Sequence, residues 1–188
     1  MSFKTILASG LAVVLMAGLY LGSGGSTPTE QSPFTDLNLA AFKAQFNEAA
    51  ASTRVILLVS PSCPYCLRGA AEFEQVLESH PGAPLSVFAV WQPILPTDWG
   101  KPGSGGLRRL RDPRVRQYWD AGHSVAIELG KVAETNCCYD RGIPWDSMAV
   151  FEPGALWGET LPEPAMFDGI IMEVVPRFEA RLLSPTAN

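Results

Sequence analysis

The sequence predicts an α/β domain, because two runs typical of strands flank a run typical of a helix. Residues 54–60 and Leu85–Trp91 are short, continuously apolar stretches, which is the pattern of strands buried on both faces. Between them, apolar residues recur at helical spacing from Leu67 to Leu77. A strand, a helix and a strand of these lengths form a βαβ unit, whose two strands lie parallel and whose crossover is right-handed.

The composition of the 188-residue chain excludes two classes of protein. Hydrophobic residues make up 47% and charged residues 18%, whereas an intrinsically disordered chain has low hydrophobicity and high net charge. The 14 Lys and Arg against 19 Asp and Glu give a net charge of −5, whereas a nucleic-acid-binding domain normally carries a basic surplus. We therefore expect a globular protein with no nucleic-acid partner.

Residues 1–26 have the pattern of a signal peptide or a membrane anchor. Lys4 precedes residues 6–21, which carry no charge, and small residues follow. A basic start, an apolar run and small residues are typical of secretory signal peptides, and the run is shorter than the roughly 20 residues that span a bilayer. Cleavage and retention as an anchor both remain open, since no clear cleavage site follows. We predict an extracytoplasmic protein, periplasmic or secreted, that contacts a membrane only through this segment.

The remaining residues divide into a linker and one domain. Residues 27–33 are polar and contain Pro28 and Pro33, a composition that suits a linker, which we predict over residues 27–35. The domain is predicted over residues 36–188. It begins with a helix over residues 37–51, for which Asp36 is a suitable N-cap.

The second half of the domain has a different pattern. Residues 92–113 form a long connection rich in Pro and Gly, and connections of that length are usually functional or mobile. Apolar spacing predicts a short helix over residues 125–134 and the core of a strand over residues 148–151. A last amphipathic helix is predicted over residues 167–183, with a kink at Pro176 because proline lacks a backbone donor.

Cys63 and Cys66 lie where the first strand meets the following helix. The N–H groups of a first helical turn stabilise an anion, so we expect a lowered pKa for the Cys63 thiol. Pro64 suits the first helical position. Cys66, one turn further on, is close enough for a disulfide, so Cys63 can attack a substrate disulfide and Cys66 can resolve the mixed disulfide. A zinc half-site and a structural disulfide are alternatives, but the first needs a second ligand pair and the second gains little from so short a loop.

Cys137 and Cys138 are adjacent in the sequence and form a second thiol pair. Adjacent cysteines can close a disulfide that is easily reduced. Our functional hypothesis is a second redox centre that exchanges electrons with Cys63 and Cys66. Structural or idle thiols are one alternative, and soft-metal binding by all four thiols is another. The metal alternative is disfavoured because zinc ligands are normally separated by at least two residues.

The stretch VILLVSPSCPYCLRGAAEFEQVL, with the LSVFAVW strand that follows, resembles the thioredoxin-like superfamily. Its Cys-Pro-Tyr-Cys centre has the form typical of glutaredoxins. The resemblance implies a thioredoxin-like fold, with a central mixed sheet flanked by helices and residues 92–113 as an inserted loop. It also implies that Cys63 is an exposed nucleophile and that Cys66 is the more buried resolving thiol. A cis-proline opposite the cysteines is implied as well, for which Pro144 is the candidate.

Two positions depart from the pattern of thioredoxins proper. Those proteins carry tryptophan before the first cysteine and an acidic residue in the preceding strand, which serves the resolving step. Here the two positions hold Ser62 and Leu57. The substrate groove is expected to be bordered by Pro64, Tyr65, Ile143, Pro144 and Trp145.

These features predict an exported thiol–disulfide oxidoreductase with no cofactor and no metal. Its expected partners are protein thiols and disulfides and an unidentified redox partner, and the sequence leaves the direction of electron transfer open. The alternative is a noncatalytic thioredoxin-like module that binds a soft metal or an exported protein. Hydrolase and nucleotide-dependent functions have no support, since the sequence contains no phosphate-binding glycine loop, no HExxH motif and no recognisable Ser-His-Asp arrangement.

Overall fold

The computed structural model describes residues 34–183, and it confirms the predicted α/β class. Its centre is a six-stranded mixed sheet, whose strands lie in the order β1 (Thr35–Asp36), β4 (Val115–Trp119), β3 (Leu85–Trp91), β2 (Thr53–Val59), β7 (Ser147–Phe151) and β8 (Met166–Gly169). The first four strands in this order are mutually parallel, whereas β7 and β8 are antiparallel to their neighbours.

A small ladder and five helices complete the described part of the chain. The ladder pairs β5 (Tyr139–Asp140) with β6 (Ile143–Pro144). The helices are α1 (Leu39–Glu48), α2 (Pro64–Ser79), α3 (Ser104–Leu107), α4 (Ser124–Val132) and α5 (Ile171–Leu183). None of these helices is long and apolar enough to cross a membrane. Residues 1–26, predicted as a signal peptide or anchor, lie outside the described residues.

Strand β2 is continuously apolar from Val55 to Val59 because both of its faces are covered. Val55, Leu57 and Val59 belong to the apolar cluster that contains the buried side chains of α2 and α5. Ile56 and Leu58 belong to a second cluster, built with α1 and α4. A strand in this position has no solvent face, so its sequence does not alternate between apolar and polar residues.

The predicted βαβ unit is confirmed, and it determines where the cysteines lie. Strands β2 and β3 pair in parallel from Thr53 opposite Leu85 to Val59 opposite Trp91. Strand β7 runs antiparallel to β2 on its other side. The carboxyl end of β2 therefore lies beside the amino end of β7, and α2 begins at this edge of the sheet.

The start of α1 differs from the prediction. The N-cap is Asn38, whose side chain accepts a hydrogen bond from the Ala41 N–H at 3.0 Å. Asp36 instead belongs to β1, which pairs with β4. Asp and Asn side chains cap helices equally well. Because Asp36 pairs in the short edge strand, Asn38 is the residue left to cap α1.

The prediction of one helix over residues 167–183 is wrong at its start. Met166–Gly169 forms β8 and pairs with β7, and α5 begins only at Ile171. Short apolar runs are ambiguous between helix and strand, and here the outer edge of β7 supplied the backbone partners for a strand. Pro176 lies inside α5, as predicted. Strand β4 was not predicted, because its sequence VRQYW lacks the alternation of a half-buried strand.

Candidate active site

Cys63 and Cys66 are free thiols at the amino end of α2. Cys63 is the N-cap residue, and its Sγ accepts a hydrogen bond from the Cys66 N–H at 3.3 Å. Pro64 follows at the start of the helix, where its missing N–H leaves no hydrogen bond unmade. The two Sγ atoms lie within 4.8 Å of each other. This is the arrangement expected of a dithiol that can close to a disulfide after a small movement.

The exposed nucleophile implied by the resemblance is not observed. Cys63 is only 2% exposed, and Cys66 is fully buried. The Cys63 side chain turns back toward the first turn of α2 and packs in the apolar cluster that Trp145 also contacts. Cys66 is the more buried of the two, in agreement with the resemblance. A disulfide substrate can reach Cys63 only when neighbouring side chains move aside.

The two thiols have opposite pKa shifts. A hydrogen bond from the Cys66 side chain, with further bonds from the backbone N–H groups of Cys66 and Tyr65, lowers the pKa of Cys63 to about 7, although burial opposes this shift. Burial raises the pKa of Cys66, and the hydrogen bond to Cys63 and the charge of Asp146 raise it further. Near pH 7, Cys63 is therefore partly ionised while Cys66 keeps its proton.

Asp146 is a site residue that the sequence analysis missed. Its side chain is 2% exposed, and a carboxylate oxygen lies within 4.8 Å of both sulfur atoms. The Ile171 N–H donates a hydrogen bond to the carboxylate at 3.4 Å. Burial raises the pKa of Asp146, while hydrogen bonds from Ile171 and Cys66 partly offset the shift. A buried carboxylate with a raised pKa is a stronger base than an exposed one, so it can accept a proton from Cys66.

The register of the sheet explains how Asp146 reaches the cysteines. Ser147 is the first residue of β7 and pairs with Leu58, near the end of β2. The residue before Ser147 therefore lies beyond the carboxyl end of β2, next to the start of α2. Leu57, at the position where thioredoxins carry an acid, is fully buried in the apolar core. The carboxylate beside the thiols thus comes from the residue that precedes the neighbouring strand β7.

The implied cis-proline is wrong at Pro144. The peptide bond before Pro144 is trans, and within residues 34–183 the cis peptide bond joins Gly169 to Ile170. Pro144 pairs with Tyr139 in the small ladder, and its carbonyl accepts a hydrogen bond from the Gln92 side chain at 2.8 Å. Pro144 lies two residues before Asp146, whose carboxylate lies next to the cysteines.

The residues predicted to border a substrate groove are only partly accessible. Tyr65 is 61% exposed at the start of α2, and Pro64 beside it is exposed as well. Pro144 is buried, and Ile143 and Trp145 are half-buried. The accessible surface next to Cys63 is therefore formed by the first turn of α2, and the groove role of all five residues stays a prediction.

The long connection is attached to the residues before Cys63 through Asp98. The Asp98 carboxylate accepts hydrogen bonds from the Ser60 hydroxyl at 2.8 Å and from the Ser62 N–H at 2.9 Å. It also accepts the N–H groups of Ile94 and Leu95 at 2.9 and 2.8 Å. Burial alone would raise the pKa of Asp98, but these hydrogen bonds hold it below its usual range. Asp98 therefore joins the loop to the segment that positions Cys63.

Cys137 and Cys138 form a disulfide in the structure, and both residues are half-buried. The Cys138 carbonyl accepts a hydrogen bond from the Trp145 N–H at 2.9 Å. A Cβ placed on Gly169 would lie 3.6 Å from the Cys137 Cβ and 2.8 Å from the Asp146 carbonyl oxygen. The pair thus contacts the segment that carries Asp146. Its sulfurs are bonded to each other, so they are not free thiolates for the four-thiol metal site.

Two sulfurs and one carboxylate oxygen are the donor atoms that could hold a metal ion here. Cys63, Cys66 and Asp146 bring these atoms within 4.8 Å of one another. Because the thiolate is the form that binds a metal ion, binding at this place would release the protons of both cysteines.

Comparison with known proteins gives similarities of structure only. No family model matches the sequence, and no curated protein matches it. A thioredoxin-like protein solved in its oxidised form matches with a TM-score of 0.44 and 16% identity, over 70% of this chain and 78% of that one. A secreted Mycobacterium tuberculosis disulfide oxidoreductase, homologous to E. coli DsbE, matches with a TM-score of 0.41 and 13% identity, over 70% and 81% of the two chains.

A thioredoxin domain of a Bacteroides vulgatus thiol–disulfide oxidoreductase matches with a TM-score of 0.41 and 11% identity, over 70% of this chain and 82% of that one.

In the chain itself, β2, α2 and β3 form a βαβ unit, β7 and β8 extend the sheet antiparallel, and α2 and α5 pack on one face. With the cysteine pair at the start of α2, this arrangement is the thioredoxin-like fold that the sequence resembles.

Proposed function

We propose that the chain is an extracytoplasmic thiol–disulfide oxidoreductase that acts on the disulfides or thiols of polypeptides. The observation that carries the proposal is the Cys63 sulfur, which accepts a hydrogen bond at the start of α2 with the Cys66 sulfur and the Asp146 carboxylate within 4.8 Å. Two-step disulfide exchange needs an ionisable nucleophile, a second thiol and a group that takes the proton of that thiol. The three side chains supply these functions.

The first step joins the substrate to Cys63. The Cys63 thiolate attacks one sulfur of a substrate disulfide, the substrate S–S bond breaks, and the departing substrate thiolate takes a proton from solvent. A mixed disulfide between Cys63 and the substrate results. The lowered pKa of Cys63 favours this step, because the thiolate is the attacking species.

The second step releases the substrate. Cys66 gives its proton to the Asp146 carboxylate, and the resulting thiolate attacks the Cys63 sulfur. The mixed disulfide breaks, a Cys63–Cys66 disulfide forms, and the substrate leaves as its second thiolate. The substrate has gained two electrons and the dithiol has lost two. The reverse sequence oxidises a substrate dithiol, and the reduction potential of the couple decides which direction prevails.

The proposal is tested by reduction of insulin disulfides with dithiothreitol as the electron source. We expect the wild-type chain to accelerate the reduction and Cys63→Ser to abolish the acceleration. The matched control replaces both Cys137 and Cys138 with serine, which leaves the first pair intact and should retain activity. If the wild type and Cys63→Ser behave alike, in this assay and in oxidation of a peptide dithiol, the enzyme proposal fails.

The direction of transfer follows from the potential of the Cys63–Cys66 couple. A value near −270 mV, as in thioredoxin, supports a reductase, and a value near −120 mV supports an oxidant. Equilibration with glutathione or dithiothreitol buffers, followed by alkylation and mass measurement, gives this value. The Cys137→Ser/Cys138→Ser chain is used, so that only one couple titrates.

We further propose that Cys137 and Cys138 exchange electrons with the first pair. Their contact with Trp145, one residue from Asp146, supports this proposal. In the exchange, the Cys63 thiolate attacks one sulfur of the Cys137–Cys138 disulfide, and Cys66 then releases the reduced vicinal thiols. Cys66→Ser should trap a Cys63 mixed disulfide with the vicinal pair, seen as a cross-linked peptide by mass spectrometry. Absence of that cross-link at protein concentrations that exclude intermolecular exchange rules out the relay.

Export is proposed on sequence grounds alone. Lys4 and the uncharged residues 6–21 have the order of a secretory signal. Fusion of residues 1–35 to a phosphatase that is active only outside the cytoplasm should give activity in a bacterial host. Replacing Val14 and Leu15 with aspartate should abolish it, and equal activity of both fusions would contradict export.

A further inference from the structure

Trp99 is the most exposed large apolar side chain among the described residues, with 92% of its surface accessible. A single exposed apolar residue needs no explanation by itself. The position of Trp99 nevertheless calls for an explanation. Trp99 directly follows Asp98, the residue that joins the long loop to the segment before Cys63.

The segment that carries Trp99 is held in place from several sides. Asp98 accepts the Ser62 N–H at 2.9 Å, and the Thr97 hydroxyl bonds the Ser62 hydroxyl. The Trp99 N–H donates to the Thr97 carbonyl at 3.0 Å. The backbone of Trp99 is therefore fixed relative to Ser62, the residue immediately before the nucleophile.

A second exposed aromatic residue lies on the other segment that meets Cys63. Tyr65 is 61% exposed in the first turn of α2, two residues after Cys63. The chain thus presents one accessible aromatic ring on each segment that leads to the nucleophile. Leu156, equally exposed at 61%, belongs to the opposite end of β2, where Arg54 donates a hydrogen bond to the carbonyl of Ala155.

We propose that Trp99, assisted by Tyr65, binds an apolar side chain of the polypeptide whose disulfide Cys63 attacks. Trp99 is then a specificity-determining residue that favours disulfides flanked by apolar residues. Aromatic side chains suit this role because they supply a large contact area with few rotatable bonds. The inference rests on the proposed function, since it names the class of polypeptide which that same site takes.

The charges near Trp99 favour a polypeptide over a lipid surface. Membrane-surface segments usually combine aromatic residues with unpaired basic residues. Here the nearby Lys101 pairs with Asp36 at 2.7 Å, and the Asp98 carboxylate is occupied by hydrogen bonds. The exposed large apolar side chains on the two segments that meet Cys63 are Tyr65 and Trp99, so an apolar side chain next to a disulfide is the complementary partner.

The test compares three disulfide substrates with the same protein, which dithiothreitol returns to its reduced form after each turnover. Two are peptides of equal length with one disulfide, flanked by leucine in one and by serine in the other, and the third is bis(2-hydroxyethyl) disulfide. We expect the wild type to prefer the leucine peptide, and Trp99→Ala to lose about tenfold in kcat/KM for it, mainly through KM. Trp99→Phe should retain most of the preference. Leu156→Ala, the matched control, should change nothing.

The outcomes separate this inference from the proposed function. If the wild type fails to react with all three disulfides, the proposed function is wrong. If it reacts but does not distinguish the peptides, or if Trp99→Ala keeps the preference, the inference is overturned. It is also overturned if Trp99→Ala leaves the peptide kinetics unchanged and instead abolishes binding to vesicles of phosphatidylglycerol, because the occupant would then be a lipid surface.

Discussion

The reactivity of Cys63 depends on one neighbouring side chain as much as on the helix that it caps. The hydrogen bond from the Cys66 side chain is the largest cause of the lowered pKa of Cys63, ahead of the backbone N–H groups. Because Cys66 is fully buried, its own thiol stays protonated and remains a donor at neutral pH. The same hydrogen bond therefore favours the thiolate of Cys63 and the protonated thiol of Cys66.

Replacing Cys66 separates these contributions. In the chain with Cys137→Ser and Cys138→Ser, the rate of Cys63 alkylation by iodoacetamide should rise with pH, with a midpoint near the pKa of about 7. Cys66→Ala removes the side-chain donor and should move the midpoint upward, whereas Cys66→Ser keeps a hydroxyl donor and should move it less. Restricted access to the buried sulfur slows the reaction at every pH, and the midpoint still reports the pKa. Equal midpoints in all three chains would show that Cys66 contributes nothing.

Asp146→Asn tests the second step of the proposed exchange. Attack by Cys63 should not slow, because loss of the Asp146 charge removes an influence that raises the pKa of Cys63. Resolution by Cys66 should slow by about 100-fold, a loss typical when a proton acceptor is removed. In the wild type, resolution should fail below the raised pKa of Asp146, since the protonated carboxyl accepts no proton. Acid-quenched samples analysed by mass spectrometry give the lifetime of the mixed disulfide.

Ser147→Ala is the matched control for that substitution. Ser147 is the first residue of β7 and directly follows Asp146. Its buried hydroxyl makes no hydrogen bond within the described part of the chain. Its removal should leave the lifetime of the mixed disulfide unchanged. If Ser147→Ala and Asp146→Asn prolong the mixed disulfide equally, the effect of Asp146 is structural, and its role as proton acceptor is wrong.

The elements with one dominant local signal could be predicted from the sequence, and the others could not. Strand β3 was predicted with its observed bounds, β2 within one residue, and α2 from its first residue, Pro64, because a continuous apolar run and apolar residues at helical spacing are both local signals. Strand β8 was missed because its four residues become a strand only through pairing with β7. Asp146 was missed for the same reason, since antiparallel register brings it to the cysteines. The resemblance implied an exposed Cys63, and no sequence signal describes the side chains that cover it.

The packing of α2 against α5 makes a prediction at the level of elements. A Cβ on Gly69 would lie 2.8 Å from the Ile171 Cβ and 2.9 Å from the Met172 backbone nitrogen. Gly69→Ala should therefore force the helices apart and lower the free energy of unfolding by about 1–3 kcal/mol. Because α2 positions Cys63 and the first residues of α5 bond Asp146, the separation should also lower activity. Urea unfolding measures the first effect and the insulin assay the second.

Gly130→Ala is the control for that change. Gly130 lies in α4, and a Cβ there would have no atom within 4 Å. The substitution should raise the free energy of unfolding by about 0.5–1 kcal/mol, because alanine loses less backbone entropy than glycine in a helix. If both substitutions stabilise the protein, the close approach of α2 and α5 does not limit its stability.

In the whole molecule, the redox state of the first cysteine pair is linked to the free energy of unfolding. The Cys63 thiol has a pKa of about 7 in the folded chain, against an ordinary value of 9.0. Between these values the unfolded reduced chain binds more protons than the folded one, so the stability of the reduced form rises with pH. The oxidised form has no such thiol, and groups common to both forms cancel in the comparison.

The free energy of unfolding of the reduced form should therefore increase, relative to the oxidised form, by about 1–2 kcal/mol from pH 7 to pH 9. The upper limit is about 2.7 kcal/mol for two pKa units, and ionisation of Cys66 in the unfolded chain reduces the gain near pH 9. Urea unfolding of both forms, in the chain with Cys137→Ser and Cys138→Ser, measures the difference. Through the thermodynamic cycle, the difference between the reduction potentials of the folded and the unfolded chain should change by the equivalent amount, with 30 mV for each 1.4 kcal/mol. A stability difference that does not change with pH would mean that folding leaves the acidity of Cys63 unaltered, and the proposed nucleophile would then lack its activation.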